Sequence, residues 1–167
     1  MFWRFEATRL PNAQRVIVRD VDSRISTREA KAVDEWTNSR FALHVIRDHP
    51  WHTRPVMGGM WGIQGIENLL VISQELHRLS DPEDAYGEDQ EWISRVGTEH
   101  FWNSKLVHDS FPLLGDSAKS LPPREGLEFI GERIDCSGNP EHMARKSLDL
   151  FERSILRRIF RRIFTRR

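Results

Sequence analysis

The sequence predicts an α/β layer fold, and three observations carry that prediction. The apolar run Val16-Ile17-Val18 leads straight into an acidic turn, as a buried strand does. Ser26-Thr27-Arg28-Glu29 has the form of a capping box, in which the serine oxygen accepts from the amide three residues on and the glutamate reaches back. Phe41 to Ile46 alternates and reads as a second strand. Strand, acidic turn, helix and strand in that order describe helices layered on a sheet. At 167 residues with 38% apolar side chains, the chain is one domain by length and can bury a real core.

Taken in order, residues 1–14 show little pattern, and Arg15 to Arg19 forms the short buried strand. The helix opened by Ser26 runs to Thr37 or Asn38, with Ala30, Val33 and Trp36 on one face. Residues 47–63 read as a loop, because Pro50 and Pro55 forbid regular structure, while Gly58 and Gly59 allow close backbone approach. A helix follows from Ile66 to about Leu79, striped by Leu69, Ile72, Leu76 and Leu79. Ser80 to Glu88 is an acidic loop. Asp89-Gln90 opens a further helix that buries Trp92, Ile93 and Val96. Leu106 to Asp109 is a short strand, 111–126 a long loop and Glu128 to Ile134 an edge strand. The last helix spans 141–167. The chain thus divides into a core, 1–135, and a linker with a terminal helix, 136–167.

Net charge is zero, but seven arginines and no acid lie from Arg153 onward, so the remainder holds 18 basic and 25 acidic side chains. That balance argues against nucleic acid as a partner. In the terminal helix Leu148, Phe151, Ile155, Ile159 and Ile163 form an apolar stripe, and Arg157, Arg158, Arg161 and Arg162 stand opposite. A basic amphipathic helix of this kind suits an anionic membrane surface, or packing on its own domain or an acidic partner. Vesicle binding that needs anionic lipid and weakens with salt is the signature of the first. Cys136 is the only cysteine, so no intramolecular disulfide forms, which fits a reducing compartment. No segment reads as a signal peptide or membrane span. The expected location is the cytoplasm, with a peripheral seat on the inner membrane face as its extension.

The densest chemistry is Arg19-Asp20-Val21-Asp22-Ser23-Arg24. A turn after a strand lets both carboxylates converge on one ion, and Mn²⁺ or Mg²⁺ favours such hard oxygens while keeping positions open for a diphosphate. Arg19 and Arg24 flank the pair and suit phosphate oxygens. A second group, Arg47-Asp48-His49-Pro50-Trp51-His52, has the profile of a binding wall. Trp51 and Trp61 are either core or platforms on which a sugar ring stacks.

These two blocks, with Gly58-Gly59-Met60-Trp61-Gly62, Tyr86-Gly87-Glu88-Asp89-Gln90 and Val107-His108-Asp109, resemble in their order a bacterial family of glycosyltransferase-like proteins with the nucleotide-diphospho-sugar transferase (GT-A) fold. The resemblance spans roughly residues 15–110. It implies a Rossmann-like mixed sheet flanked by helices and a divalent metal on Asp20 and Asp22, completed by His108. It also implies Asp89 and Gln90 beside the reacting sugar, with Asp48, His49 and Trp51 facing the donor sugar or acceptor. A Gly58-Gly59 turn would admit ligand, and the substrates would be a nucleotide sugar and a glycan acceptor. Domains of this fold generally begin with a nucleoside-binding strand–helix–strand region. Few residues precede Asp20, so the expectation is a core lacking that part, or a nucleoside held differently.

Three other readings compete. Haloacid-dehalogenase-type phosphatases also place Asp-x-Asp after an apolar strand, with Asp20 then the nucleophile and Asp22 the acid–base. Arg19 and Arg24 depart from that pattern. His49, His52 and His108 could hold zinc. A carbohydrate- or membrane-associated module could keep the fold without turnover.

Overall fold

The computed structural model describes residues 2–79, 87–112 and 114–164, with side chains as far as Ile155. A 3-10 helix, Phe2–Arg9, precedes β1 (Arg15–Arg19), α1 (Thr27–Thr37), β2 (Leu43–Arg47), β3 (Met60–Gln64), α2 (Ile66–His77), α3 (Glu88–Phe101), β4 (Lys105–Asp109) and α4 (His142–Phe164). The fold is α/β, as expected: a mixed four-stranded sheet in the order β1-β3-β2-β4, flanked by helices. Strand β3 is antiparallel to both neighbours, and β4 is parallel to β2. Strands β1, β2 and β4 therefore run the same way, and their C-terminal ends emerge along one edge. Asp20, Asp48 and Ser110 directly follow those ends. Open α/β sheets use this edge to bind ligands.

Strand alternation sorts the core. Val16, Val18, Leu43, Val45, Trp61, Ile63 and Val107 join one apolar cluster with Phe5 and with Leu69, Ile72, Trp92, Ile93 and Val96 of α2 and α3. On the other face Ile46 and Met60 meet Ala32 of α1, with Leu121 and Ile130. Gly62 lies on that face because a Cβ there would stand 2.9 Å from the Trp36 ring. Trp36 is fully buried and donates its indole N–H to the Phe41 carbonyl at 3.0 Å.

The expected capping box is half formed. Ser26 Oγ accepts from the Glu29 amide at 3.2 Å, but the Glu29 carboxylate turns to Arg19 instead of reaching back. Three expectations need correction. Met60–Gln64 is not loop but the strand between β1 and β2, since the prolines lie before it and β3 is buried on both faces. Residues 128–134 do not form an edge strand: Gly131, at φ +82°, turns the backbone, leaving isolated bridges between Ser23 and Arg133 and between Ile134 and Pro140. The buried face of α1 is Glu29, Ala32 and Trp36, with Ala30 exposed, so the expected Ala30-Val33-Trp36 face is displaced, while Phe2 and Phe5 at the start of the chain are buried against Trp92.

Ser80 to Tyr86, most of the expected acidic loop, lie outside the described residues. Helix α4 docks through Ala144 and Leu148 on Phe129 and through an Arg145–Glu132 pair. The side chains of Arg157, Arg158, Arg161 and Arg162 are outside the described residues. Among those described, no helix is long and apolar enough to cross a membrane.

Candidate functional site

A cleft of about 790 Å³ opens at the C-terminal end of β1. Its lining includes Asp20, Asp22, Asp89, Gln90 and the arginines Arg4, Arg19, Arg54 and Arg133. The Asp20–Asp22 turn is shaped by Ser23, whose amide and hydroxyl both donate to the Asp20 carbonyl, at 3.1 and 2.8 Å. Asp89 and Gln90 enter on the first turn of α3, behind Gly87 at φ +91°. The N-terminal partial charge of α3 favours the Asp89 carboxylate there.

Arg4 spans the floor. Its Nη1 donates to Asp20 Oδ1 at 2.8 Å, and its Nε lies 3.4 Å from Asp89 Oδ2. Asp22 pairs with Arg133, Oδ2 to Nε, at 3.2 Å. Gly59 makes room for Asp20: a Cβ at residue 59 would lie 2.0 Å from Asp20 Oδ2, whereas one at Gly58 would meet nothing nearer than 3.5 Å. Gly59 thus admits this protein's own carboxylate.

Other expected site residues lie elsewhere. Arg19 faces inward, its guanidinium bound to Glu29, to the Val18 carbonyl at 2.7 Å and to the Trp61 carbonyl at 3.1 Å, so it is not arranged to hold phosphate. Arg24 lies over the Gly138 turn and is not part of the cleft lining. Trp61 is core, 0% exposed, with its ring 5.7 Å from Phe5. Trp51 is 55% exposed but stands edge-on to His49, away from the cleft lining.

Asp48 is fully buried and knits four segments together. It accepts from Arg28 at 2.6 and 3.2 Å, from Arg124 at 2.8 Å, from the Ser110 hydroxyl at 2.5 Å and from the Ile130 amide at 2.9 Å. His49 is buried beneath α4. Its Nε2 donates to the Ala144 carbonyl at 3.0 Å, and its Nδ1 accepts from the Trp51 amide at 3.1 Å. Both ring nitrogens are occupied, which removes His49 from any zinc reading.

His108 is not brought to Asp20 and Asp22. It lies on β4, with β3 and β2 between that strand and β1, a separation of about 14 Å at the usual strand spacing. It is 1% exposed; its Nε2 donates to Glu35 Oε2 at 3.1 Å, and its Nδ1 faces His44 Nε2 at 2.9 Å. Glu35 is in turn paired with Lys119. An ionised Glu35 can only accept, so His108 keeps its proton on Nε2 and accepts from His44. That leaves His44 Nδ1 buried with no hydrogen-bond partner among the described residues.

Burial first, and then the electrostatics of neighbouring His108 and Arg19, push His44 down to about 2. The unfolded imidazole titrates near 6.5. The unfolded state therefore takes up a proton that the fold refuses, so stability is full above that value and falls as pH drops below it. The slope is about 1.4 kcal/mol per pH unit, giving a loss of about 2 kcal/mol at pH 5. Urea unfolding of His44→Leu is expected to lack this part of the slope between pH 4 and 6.5, whatever its absolute stability. An unchanged slope would place the proton uptake elsewhere.

Arg4, Arg54, Arg133 and Gly131 escaped the sequence reading. Phe2 and Phe5, three apart around Arg4, were the available signal for an ordered turn; nothing local marks Arg133. Among the described residues, no group of three or more His, Cys, Asp or Glu side chains comes together for a metal. Asp20 and Asp22 are half-exposed and each is paired with a different arginine, so to hold a Mg²⁺ or Mn²⁺ ion beside water and phosphate they would have to turn from Arg4 and Arg133. The chain matches no protein-family model, no curated protein and no solved structure.

Proposed function

We propose that the chain is a metal-dependent glycosyltransferase-like protein whose cleft takes a nucleotide-sugar donor and transfers its sugar to a glycan acceptor. One observation carries the reading: the Asp20–Asp22 turn and the Asp89–Gln90 helix start, far apart in sequence, line one cleft at the ligand-binding edge of an α/β sheet. Residues 15–19 supply the strand that delivers the first pair, and α3 delivers the second.

The residues divide the work by charge. Sugar transfer passes through a cation-like centre, which the nearly buried Asp89 carboxylate favours. Gln90, next to it, can orient a sugar hydroxyl through its amide. The departing nucleoside diphosphate gathers negative charge, and guanidinium groups in the cleft stabilise that charge as it develops. Asp20 and Asp22 would hold the divalent cation, which supplies Lewis-acid stabilisation of the same leaving group.

Calorimetric titration of UDP and GDP with Mn²⁺, repeated with EDTA, tests the reading. Binding is expected only with metal. Asp22→Asn is expected to weaken it at least tenfold, since one of two protein ligands loses its charge. Metal-independent binding, or an Asp22→Asn chain that binds as before, would sink the assignment. Binding of free glycan without nucleotide would favour a module that kept the fold without turnover.

A further inference from the structure

We infer that Arg4 and Arg133 are internal counter-ions that stand in for the metal, and that they move to the diphosphate when cation and diphosphate enter the cleft together. This rests on the cleft reading above and adds a rule of order: neither ligand binds well alone.

Each carboxylate of the turn has its own guanidinium, Asp20 with Arg4 and Asp22 with Arg133. The remaining cleft arginines are engaged with other residues, Arg19 with Glu29 and Arg54 with Glu91. The second pairing is built into the backbone. Ile134 N donates to the Asp22 carbonyl at 2.7 Å, and Arg133 bridges Ser23, so the 131–134 turn is fastened beside the Asp20–Asp22 turn. Gly131 sets the path of that turn, at φ +82°, where a Cβ would also strike Met60 Sδ at 2.5 Å.

A divalent cation arriving alone must break both ion pairs and leave two guanidiniums beside its own double charge. A diphosphate arriving alone meets arginines already neutralised by carboxylates. Arriving together, the cation takes the carboxylates, and the released planar forks face phosphate oxygens, the anion they match best. Arg4 can keep Asp89 through Nε while the Nη1 released by Asp20 turns to phosphate, so every charge then has a partner. The two ligands bind with positive coupling, and the coupling runs equally in both directions. Arg133 is the better probe, because its side chain is 71% exposed and no core contact depends on it.

The test uses Mn²⁺ alone, inorganic pyrophosphate with EDTA, and the preformed Mn²⁺–pyrophosphate complex, each titrated into the full chain and into Arg133→Gln. The intact chain is expected to bind the complex at least tenfold more tightly than either component. In Arg133→Gln, Mn²⁺ alone should bind about two- to fivefold more tightly, the worth of an exposed ion pair. Its preference for the complex should shrink severalfold. Identical Mn²⁺ affinity in both chains, or a full preference retained in the variant, overturns the inference. Asp22→Asn separates the two levels. If Mn²⁺ binding is lost in Asp22→Asn but indifferent to Arg133→Gln, the cleft reading survives and the exchange does not. If no chain binds metal or complex, both fall.

Discussion

Asp48→Ala is expected to cost about 3–5 kcal/mol of folding stability, the cost of removing one partner from a buried ion pair. The carboxylate is 0% exposed and holds Arg28 of α1, Arg124, Ser110 and the Ile130 amide at once. Removing it takes the only carboxylate paired with Arg28 among the described residues and one of the two paired with Arg124, which keeps Glu152, and both guanidiniums are only slightly exposed. Burial pushes the Asp48 carboxyl up, but Arg28, Ser110, the Ile130 amide and Arg124 outweigh it and hold it below the usual range. The stability it contributes is therefore present above the unfolded carboxyl's range and lost as pH falls through the lower folded value. Urea unfolding at pH 7 measures the cost. Asp48→Asn, which keeps an acceptor for Ile130, serves if the alanine chain does not fold. The folded Asp48→Asn chain should bind Mn²⁺–nucleotide within about twofold of the parent, because residue 48 does not line the cleft and the asparagine keeps the acceptor for Ile130, which precedes the cleft-lining Gly131. A stable Asp48→Asn chain that loses binding would return Asp48 to the chemistry.

The same residue shows where a sequence stops being legible. Asp48, His49 and Trp51 read as a binding wall because a ligand wall and a buried polar knot use the same residue types. What separates them is the partners, and Arg28 and Arg124 come from positions 20 behind and 76 ahead. Local signals fared better. The Ser26 cap, the stripe of α2 and the opening of α3 at Asp89 depend on neighbours within a turn or two, and the helices stand where those neighbours put them. Strand β3 was hidden because a strand buried on both faces has no alternation to read. The reason for Gly62 is the Trp36 ring, a tertiary fact. Half of the site was legible for the same reason: the Asp-x-Asp turn and Asp89–Gln90 are contiguous motifs, while Arg4 and Arg133 matter only because the fold brings them to the carboxylates.

Gly59→Ala is expected to abolish metal-dependent nucleotide binding, while its neighbour Gly58→Ala leaves it nearly unchanged. At residue 59 the new methyl would stand 2.0 Å from Asp20 Oδ2 and 2.3 Å from Cγ, so the carboxylate must move by more than an ångström to reach ordinary contact. The Asp20 carboxylate is the tip of a 40% exposed side chain and can swing aside, but doing so takes it from the position it holds beside Arg4 at the cleft. A displacement of that size at a ligand-holding group costs about a hundredfold. At residue 58 the methyl would rest 3.5 Å from Arg4 Nη1 and Gln90 Cβ, which is ordinary van der Waals distance. Neither glycine has a positive φ, so backbone strain is equal in the two variants and only the contact with Asp20 differs. Calorimetry with Mn²⁺ and nucleotide on both variants measures the contrast. Equal binding by the two would mean that the position of Asp20 is immaterial, and the metal would then have to be sought away from this turn.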